Sequence, residues 1–564
     1  MNRLSIVLAT TDGGTYVEQT VRALCRACAD GDIDPELVVV ASAEEYSSVQ
    51  HTLAGVEGIA FRSVDTHSLG RLYNAGAGEM QEGRILFLRE GVLLHTQGLR
   101  LMLNALAHEP QVGAVGAFSD RTTYEWQYLN ATHIEAAGDT TEAYLHDHVE
   151  GAAEGFALEN FALLMRRETF VQTGGFSEEF PAAGGEDIDL SFRLKFAGYR
   201  LLRVPGYFHH AGAEVCDLCD LTRTLARPIL LARWGLDIGI PETIWRDALA
   251  AIDFRQGESL VRATCRSALL TTPLVSIMIP TYNRPEYFRE TLESARAQTY
   301  PNIEIIVCDN GTDDRTEELM RNYRDDLRIR YVRNRAAKTK EENFMPFERL
   351  ARGEYLQWCM DDDILLPDKL TLMADTFLQY PKVTLVTSRR GIIDENGDFL
   401  KQWDVAPPLS GVMNVLDGQT VGWHLLMLTN NFIGEPSAVL FRRSDLMHHY
   451  WNAESRGYRA ISDCAMWLEL LERGDFAMFS RPLSLYRNHL RQEAQQADVF
   501  ANSFLEWFYL MADYRCRGVF LTTEEDYQKA VAGLKKICRE HVAPMLHYAS
   551  PAMQEHYRST MQKI

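Results

Sequence analysis

Cysteine is sparse and unorganised in this chain, with ten residues scattered among 564. Cys216 and Cys219 form a lone CxxC with no second pair, which argues against a zinc site and against a disulfide framework. Such usage fits a reducing cytoplasm. Long apolar runs are missing too, and none approaches the ~20 residues needed to span a bilayer. The opening Met1-Asn-Arg-Leu-Ser-Ile-Val-Leu-Ala-Thr10 runs straight into a strand, with an apolar stretch too short for a secretion signal. Positive charge is in deficit: 57 Lys and Arg stand against 78 Asp and Glu, a net charge of −21. That balance argues against a nucleic-acid groove and against an anionic membrane surface. What is present, 46% hydrophobic and 24% charged residues, is the composition of a soluble globular protein too long for one core.

The most informative stretch is Gly353-Glu-Tyr-Leu-Gln-Trp-Cys-Met-Asp361-Asp362-Asp363-Ile-Leu-Leu-Pro367-Asp368. Tyr355 to Met360 reads as a short buried strand, and Pro367 stops its extension. Three adjacent carboxylates at a strand end repel one another unless water or a cation relieves them. A hard divalent ion suits such a cluster, because Mg²⁺ or Mn²⁺ commonly joins one or two carboxylates to substrate phosphates. A solvated acidic turn is the plainer alternative.

The chain begins with Leu4–Thr10 as a buried strand, a polar Gly-rich turn, a helix carrying Val17, Val21 and Leu24 on one face, and a second buried strand at Glu36–Ala41. Strand, helix and strand in that order predict a parallel sheet with right-handed crossovers. Residues 212–272 show helical patterning and no clear strand, and read as a connector. At Leu274 the opening pattern begins again. Ser5-Ile6 recurs as Ser276-Ile277, an offset of 271, and Arg166-Arg167, Asp187 and Gly198 recur as Arg442-Arg443, Asp463 and Gly474, an offset of 276. Several matches in order at nearly constant offset point to a duplicated domain of about 210 residues. The expected organisation is therefore a first α/β domain at 1–211, a helical connector at 212–272, a second α/β domain at 273–491 and a helical region at 492–564. In that last region Phe504, Trp507, Phe508 and Met511 recur at helical spacing, a stripe expected to pack as core.

In the second copy three strand ends are polar: Thr281-Tyr282-Asn283-Arg284, Asp309-Asn310-Gly311, and the acidic triplet. Ligands of open α/β sheets collect at the carboxyl ends of strands, so these three ends are expected to face one crevice. There Asp309 suits the imide N–H of a pyrimidine base, Asp361 a ribose hydroxyl, and Asp362 with Asp363 a metal on a diphosphate. Asp309-Asn310-Gly311 alone would equally be a tight turn. A transferase that displaces a nucleoside diphosphate also needs a base for the acceptor hydroxyl. Asp463 is the candidate, ahead of the apolar helical face Trp467, Leu470 and Leu471; a mere helix cap is the alternative. His489, closing Ser484-Leu-Tyr-Arg-Asn-His489, is a candidate to complete metal or diphosphate coordination, and an ordinary surface histidine is the alternative.

Taken as an ordered set, Val275–Arg284, Asp309-Asn-Gly, Asp361-Asp-Asp, Gly434–Arg443 and Asp463…Trp467…Gly474 resemble a family 2 glycosyltransferase of GT-A fold. The resemblance implies two tandem Rossmann-like α/β domains of the nucleotide-diphospho-sugar transferase type. It implies transfer with inversion from a nucleotide-diphosphate sugar, with Mn²⁺ or Mg²⁺. It also implies base contact by Asp309, a DxD-type site at Asp361 and Asp362, and Asp463 as catalytic base. Ser462 departs from the acidic residue often found before that Asp. Residues 4–210 are similar to the same family but degenerate: Arg89-Glu90-Gly91 replaces the acidic motif, while Glu186, Asp187 and His209-His210 keep the acceptor-side pattern. Arg89 is a candidate to stand in for a cation as a fixed charge.

The resulting expectation is an inverting, metal-dependent glycosyltransferase using a UDP- or dTDP-sugar, with a glycan, lipid-linked or protein acceptor. No nucleic-acid partner and no transmembrane segment are expected. Peripheral membrane contact and oligomerisation stay open. Two alternatives stand beside it: a bifunctional two-site transferase or polysaccharide polymerase, and a non-catalytic glycan- or nucleotide-binding protein. A nucleotidyltransferase fits less well, because Pro280-Thr-Tyr-Asn-Arg284 is not a phosphate-binding glycine loop.

Overall fold

The computed structural model describes residues 2–10, 14–80, 83–119, 152–181, 184–210, 216–403, 413–446, 458–489 and 496–563. The chain divides into two units, Met1–Thr271 and Thr272–Leu409 with Met413–Ile564. The first unit contains β1 (Asn2–Ala9), β2 (Ile33–Ser42), β3 (Ile59–Val64), β4 (Arg84–Arg89), β5 (Val92–Leu93), β6 (Val112–Ser119), β7 (Ala153–Glu154), β8 (Ala162–Arg166) and β9 (Arg200–His210). The second contains β10 (Val275–Thr281), β11 (Ile303–Asp309), β12 (Ile329–Arg333), β13 (Tyr355–Trp358), β14 (Ile364–Leu365), β15 (Val383–Ile393), β16 (Phe399–Trp403), β17 (Met413–Leu416), β18 (Leu440–Arg442) and β19 (Asp475–Arg487).

The two sheets have the same strand order. It runs β3-β2-β1-β4-β8-β6-β9-β5 in the first unit and β12-β11-β10-β13-β18-β15-β19-β14 in the second. In each, the first strand pairs in parallel with its successor on one side and with the fourth strand on the other. This reversal of strand order opens a crevice at the carboxyl ends. The central strands are Val-, Ile- and Leu-rich and buried on both faces, with every residue of β10, β11 and β13 buried, as a parallel sheet covered by helices requires.

The duplication extends to register and side-chain bonds. Ser5 pairs with Ile85 and Ser276 with Leu356, both shifted by 271. Arg84 lies opposite Arg166 and Tyr355 opposite Arg442. Ser5 Oγ donates to Glu36 at 3.2 Å, and Ser276 Oγ to Glu304 at 2.6 Å. Arg167 N–H bonds the Gly83 carbonyl and Arg443 N–H the Glu354 carbonyl, each at 2.9 Å. Their side chains reach the Met80 and Ala351 carbonyls at 2.7 and 3.0 Å. The sequence-level shift from 271 to 276 therefore falls between the sixth strand of each unit and the strand that follows the long connection, β8 or β18.

The helices outside the repeats pack on the sheets' own cores. Leu230, Trp234, Trp245 and Leu249, from the stretch read as a connector, share a core with Phe156, Phe180, Ile188 and Phe192 of the first unit. Trp234 Nε1 donates to Asp189 at 2.9 Å. In the second unit Leu505, Trp507, Leu510, Met511, Tyr514 and Leu534 share a core with Trp467, Leu470 and Phe441. Burying side chains of that size contributes about 1.5–3 kcal/mol each, so the C-terminal helices are part of the second unit's core. Among the described residues no helix is long and apolar enough to cross a membrane.

Candidate active site

The crevice of the second unit is built where β10, β11 and β13 end. Asp361 follows β13 and turns back onto the end of β10. Its Oδ2 accepts from Thr281 Oγ1 at 3.0 Å and from the Tyr282 backbone N–H at 3.1 Å. Arg284 Nη1 donates to Asp361 Oδ1 at 3.3 Å and to Asp362 Oδ2 at 2.8 Å, bridging two members of the triplet. The Tyr282 side chain is half exposed at the rim. Asn283, at φ +54°, joins the ends of β10 and β11 by exchanging bonds with Thr312 at 2.8 and 3.0 Å.

All three triplet carboxylates are buried. Desolvation, with the Asp362 charge beside each, pushes Asp361 and Asp363 above the ordinary carboxylate range. His489 lies 127 residues further along the chain, yet its Nε2 is 2.9 Å from Asp362 Oδ2. Asp362 and His489 thus form a buried carboxylate–imidazole pair within a charge cluster that favours a cation, a donor set that fits a hard divalent ion. Among the described residues no three metal-binding side chains converge, so phosphate oxygens and water would complete the coordination. Asp363 Oδ1 accepts the Arg487 backbone N–H at 3.2 Å.

Asp309, at the end of β11, is fully buried. Oδ1 accepts the Gly311 N–H and Oδ2 the Tyr331 hydroxyl, both at 2.7 Å, and Arg333 pairs with Oδ2. The turn and the charge pair thus share one carboxylate. Asn310, partly exposed, reaches the Thr339 carbonyl at 3.5 Å through Nδ2.

Asp463 is in the first turn of the helix Ser462–Leu471, whose cap position is Ile461 and not Asp463. Its Oδ1 accepts the Cys464 N–H and its Oδ2 Asn431 Nδ2, both at 2.8 Å. Desolvation, with Glu435 adding repulsion, pushes Asp463 up to about 6. Glu435 also raises Asp363, so Asp463 and the acidic triplet are within electrostatic reach of one carboxylate. Glu435 is tied to Arg390 at 2.8 Å. The Gly434 carbonyl accepts Trp467 Nε1 at 3.0 Å and Asn431 Nδ2 at 3.1 Å. Its φ of +119° is one that a side chain would strain.

In the first unit the shared register sets Glu90 where the second has Asp361, and Gly91 where it has Asp362. Glu90 is buried and accepts the Tyr16 N–H at 2.8 Å, and the Gly91 N–H donates to Thr20 Oγ1 at 2.9 Å. Glu186 is fully buried, accepting Asn160 Nδ2 and the Gly184 N–H, both at 2.7 Å. Desolvation and the neighbouring Asp187 push it upward. Asp187 Oδ1 accepts the Gly185 and Ile188 N–H groups at 3.1 and 2.8 Å. Arg89, Glu186 and Asp187 all act on the buried Tyr73 hydroxyl, so they share one neighbourhood. His209 pairs with Leu93 as Leu485 pairs with Ile364, which is not the position of His489; its side chain lies outside the described residues.

Residues 276–448 match the family model described as Glycosyl transferase family 2. That segment belongs to glycosyl transferase family 2. Residues 161–213, in the first unit, match the model described as the N-terminal domain of galactosyltransferase. Chondroitin synthase of Escherichia coli is 29% identical over 41% of this chain and 31% of its own length. An uncharacterized glycosyltransferase of Rickettsia felis is 36% identical over 23% of this chain and 21% of its own. Hyaluronan synthase of Pasteurella multocida is 26% identical over 41% of this chain and 22% of its own. The chain thus spans under a third of the length of each of these relatives. A solved structure, S. aureus TarS 1-349 in complex with UDP-GlcNAc, aligns over 51% of this chain and 79% of that one, with 13% identity and a TM-score of 0.35.

The family 2 segment ends before Asp463 and His489, which the fold brings back to it. Reasoning from sequence missed Asn431, Glu435 and Arg487 as neighbours of the site. Arg487 is fully buried; it bonds the Asp362 carbonyl at 3.0 Å through Nε and lies 4.8 Å from the Tyr287 ring centroid. Its available signal was its place two residues before His489. Asn431 and Glu435 flank the quoted Gly434, a signal visible only as nearness to a glycine.

Proposed function

We propose that the second unit is an inverting glycosyltransferase that moves a sugar from a UDP- or dTDP-linked donor to a hydroxyl of a glycan, using Mn²⁺ or Mg²⁺. The observation that carries this reading is the meeting at 2.9 Å, beside the end of β10, of Asp362, inside the segment that matches family 2, with His489, beyond it. The acceptor class follows the names of two relatives, chondroitin synthase and hyaluronan synthase.

In this reading Asp361, oriented by Thr281 and the Tyr282 N–H, takes a ribose hydroxyl. An ionised carboxylate has about four lone-pair sites, and Asp309 uses three of them internally, which leaves one for an imide N–H. Asp362 and His489 would hold the cation, and Arg284, beside Asp362, would pair with the donor diphosphate. When bound, the cation supplies charge neutralisation to the leaving diphosphate. Asp463 takes the proton of the acceptor hydroxyl as its oxygen forms a bond to the anomeric carbon. The bond from that carbon to the diphosphate oxygen breaks on the opposite face, which inverts the centre. A base poised near 6 is ionised at neutral pH and still basic enough to accept a proton. The first unit has Gly91 at the Asp362 position, and we read it as lacking this cation site.

The test is nucleoside-diphosphate release from a panel of sugar nucleotides, with and without Mn²⁺, on wild type and Asp362→Asn. Metal-dependent release that Asp362→Asn abolishes is the expected result. Full release by Asp362→Asn would move the donor site elsewhere, and no release or nucleotide binding in wild type would favour a binding protein.

A further inference from the structure

The helix Ala497–Arg517 lies beyond the family 2 segment, and its apolar stripe is core. One residue within that stripe is not apolar. Glu506 is buried, 4% exposed, between Leu505 and Trp507. Its Oε1 accepts the Arg459 N–H at 2.8 Å, and its Oε2 accepts the Ala460 and Ile461 N–H groups at 2.8 and 3.0 Å. Asn502 Nδ2 donates to Oε1 at 2.6 Å. Four donors thus converge on one carboxylate, about the number it accommodates.

The three backbone donors are consecutive and lead directly into the helix that begins at Ser462. Ile461 is the cap of that helix, and its carbonyl accepts the Ala465 N–H at 3.1 Å. The N–H groups at and before a helix start have no intrahelical partner, and none of the cap side chains supplies one here. Glu506 supplies it from a second helix, itself fixed in the core by Leu505, Leu510 and Met511. Asp463 stands two residues past Ile461 and is held on its other side by Asn431. The Asp463 carboxylate is thus held by Asn431 and the Cys464 N–H, while the backbone that leads into its helix is held by Glu506 of the C-terminal helix.

We propose that Glu506 is a positioning residue for Asp463, so that the C-terminal helix is part of the transfer site. The inference rests on the reading of Asp463 as the base. A displacement of about 1 Å between reacting groups costs up to about 10²-fold in rate, which sets the scale of the effect.

The experiment compares wild type, Glu506→Gln, Asp463→Asn and the double variant in the full chain, with UDP release from the best sugar nucleotide of a panel plus a glycan acceptor. Amide hydrogen exchange of residues 459–464 is measured alongside. In Glu506→Gln the expected results are a kcat lowered about ten- to a hundredfold, a donor KM within about twofold of wild type, and faster exchange at 459–464. In the Asp463→Asn background the same change is expected to cost under about twofold, because its effect passes through the missing base. An unchanged kcat, or the same loss in both backgrounds, overturns the positioning role. Wild-type turnover by Asp463→Asn overturns the base assignment and the positioning role together, whereas a silent Glu506→Gln beside an impaired Asp463→Asn overturns the positioning role alone. Should Glu506→Gln fail to fold, Asn502→Ala decides: it removes one bond to the carboxylate and is expected to lower kcat about two- to fivefold at unchanged donor KM. An unchanged kcat there overturns the proposal.

Discussion

Asp463 and Asp362 are carboxylates with opposite assignments, and their surroundings separate them. Asp463 is pushed up to about 6 mainly by desolvation, and a base must be ionised to act. The kcat/KM of transfer is therefore expected to fall as pH drops below about 6, approaching tenfold per unit, in a pH–rate profile at saturating Mn²⁺. Asp463→Asn is expected to lower kcat by about 10²- to 10⁴-fold, with donor affinity by calorimetry unchanged. Asp362 is paired with His489 and Arg284. His489→Ala is expected to weaken Mn²⁺-dependent binding of UDP about 10- to 100-fold and to leave metal-free UDP binding within about twofold.

At the scale of elements, backbone approach decides as much as side-chain chemistry. Gly474, which recurs from Gly198 in sequence, follows the Asp463 helix and leads into β19. A Cβ there would stand 2.2 Å from the Lys382 carbonyl oxygen, a backbone atom that cannot yield without moving β15. Gly474→Ala is expected to destabilise the second unit by about 1–3 kcal/mol, read as a lower midpoint in a denaturant titration followed by tryptophan fluorescence. The strands themselves were legible from composition, because a strand buried on both faces must be continuously apolar. So was the first turn of the Asp463 helix, since the apolar face of Trp467, Leu470 and Leu471 has helical period. The partner of that turn was not legible: Glu506 lies in an apolar stripe, and periodicity does not say which backbone a buried acid will meet.

For the whole molecule, two sheets of identical strand order carry unequal chemistry. Register sets Glu90 and Gly91 of the first unit at the positions of Asp361 and Asp362. A single Mn²⁺-dependent UDP site per chain is therefore expected by calorimetry, with the Mn²⁺-dependent component lost in Asp362→Asn. Two such sites would show that the first unit holds a cation by other means. The helices that follow each sheet belong to the core beside it, which makes both units larger than the repeats alone.

The amino-acid sequence by itself determined the duplication, the α/β class and the polar strand ends, because each is a local pattern of period, order or spacing along the chain. It also marked Asp361, Asp362 and Asp463 by chemistry that an apolar core cannot easily keep. Only the tertiary structure decided which of these groups meet. His489 reaches Asp362 across 127 positions, and Glu506 reaches the Asp463 helix across 45. It also showed that Asp363 accepts the Arg487 N–H and that Asp309 is largely satisfied by its own turn together with Tyr331 and Arg333 of β12. The physical reason is that hydrogen bonds between distant segments depend on how sheets and helices pack, and packing is not periodic in sequence.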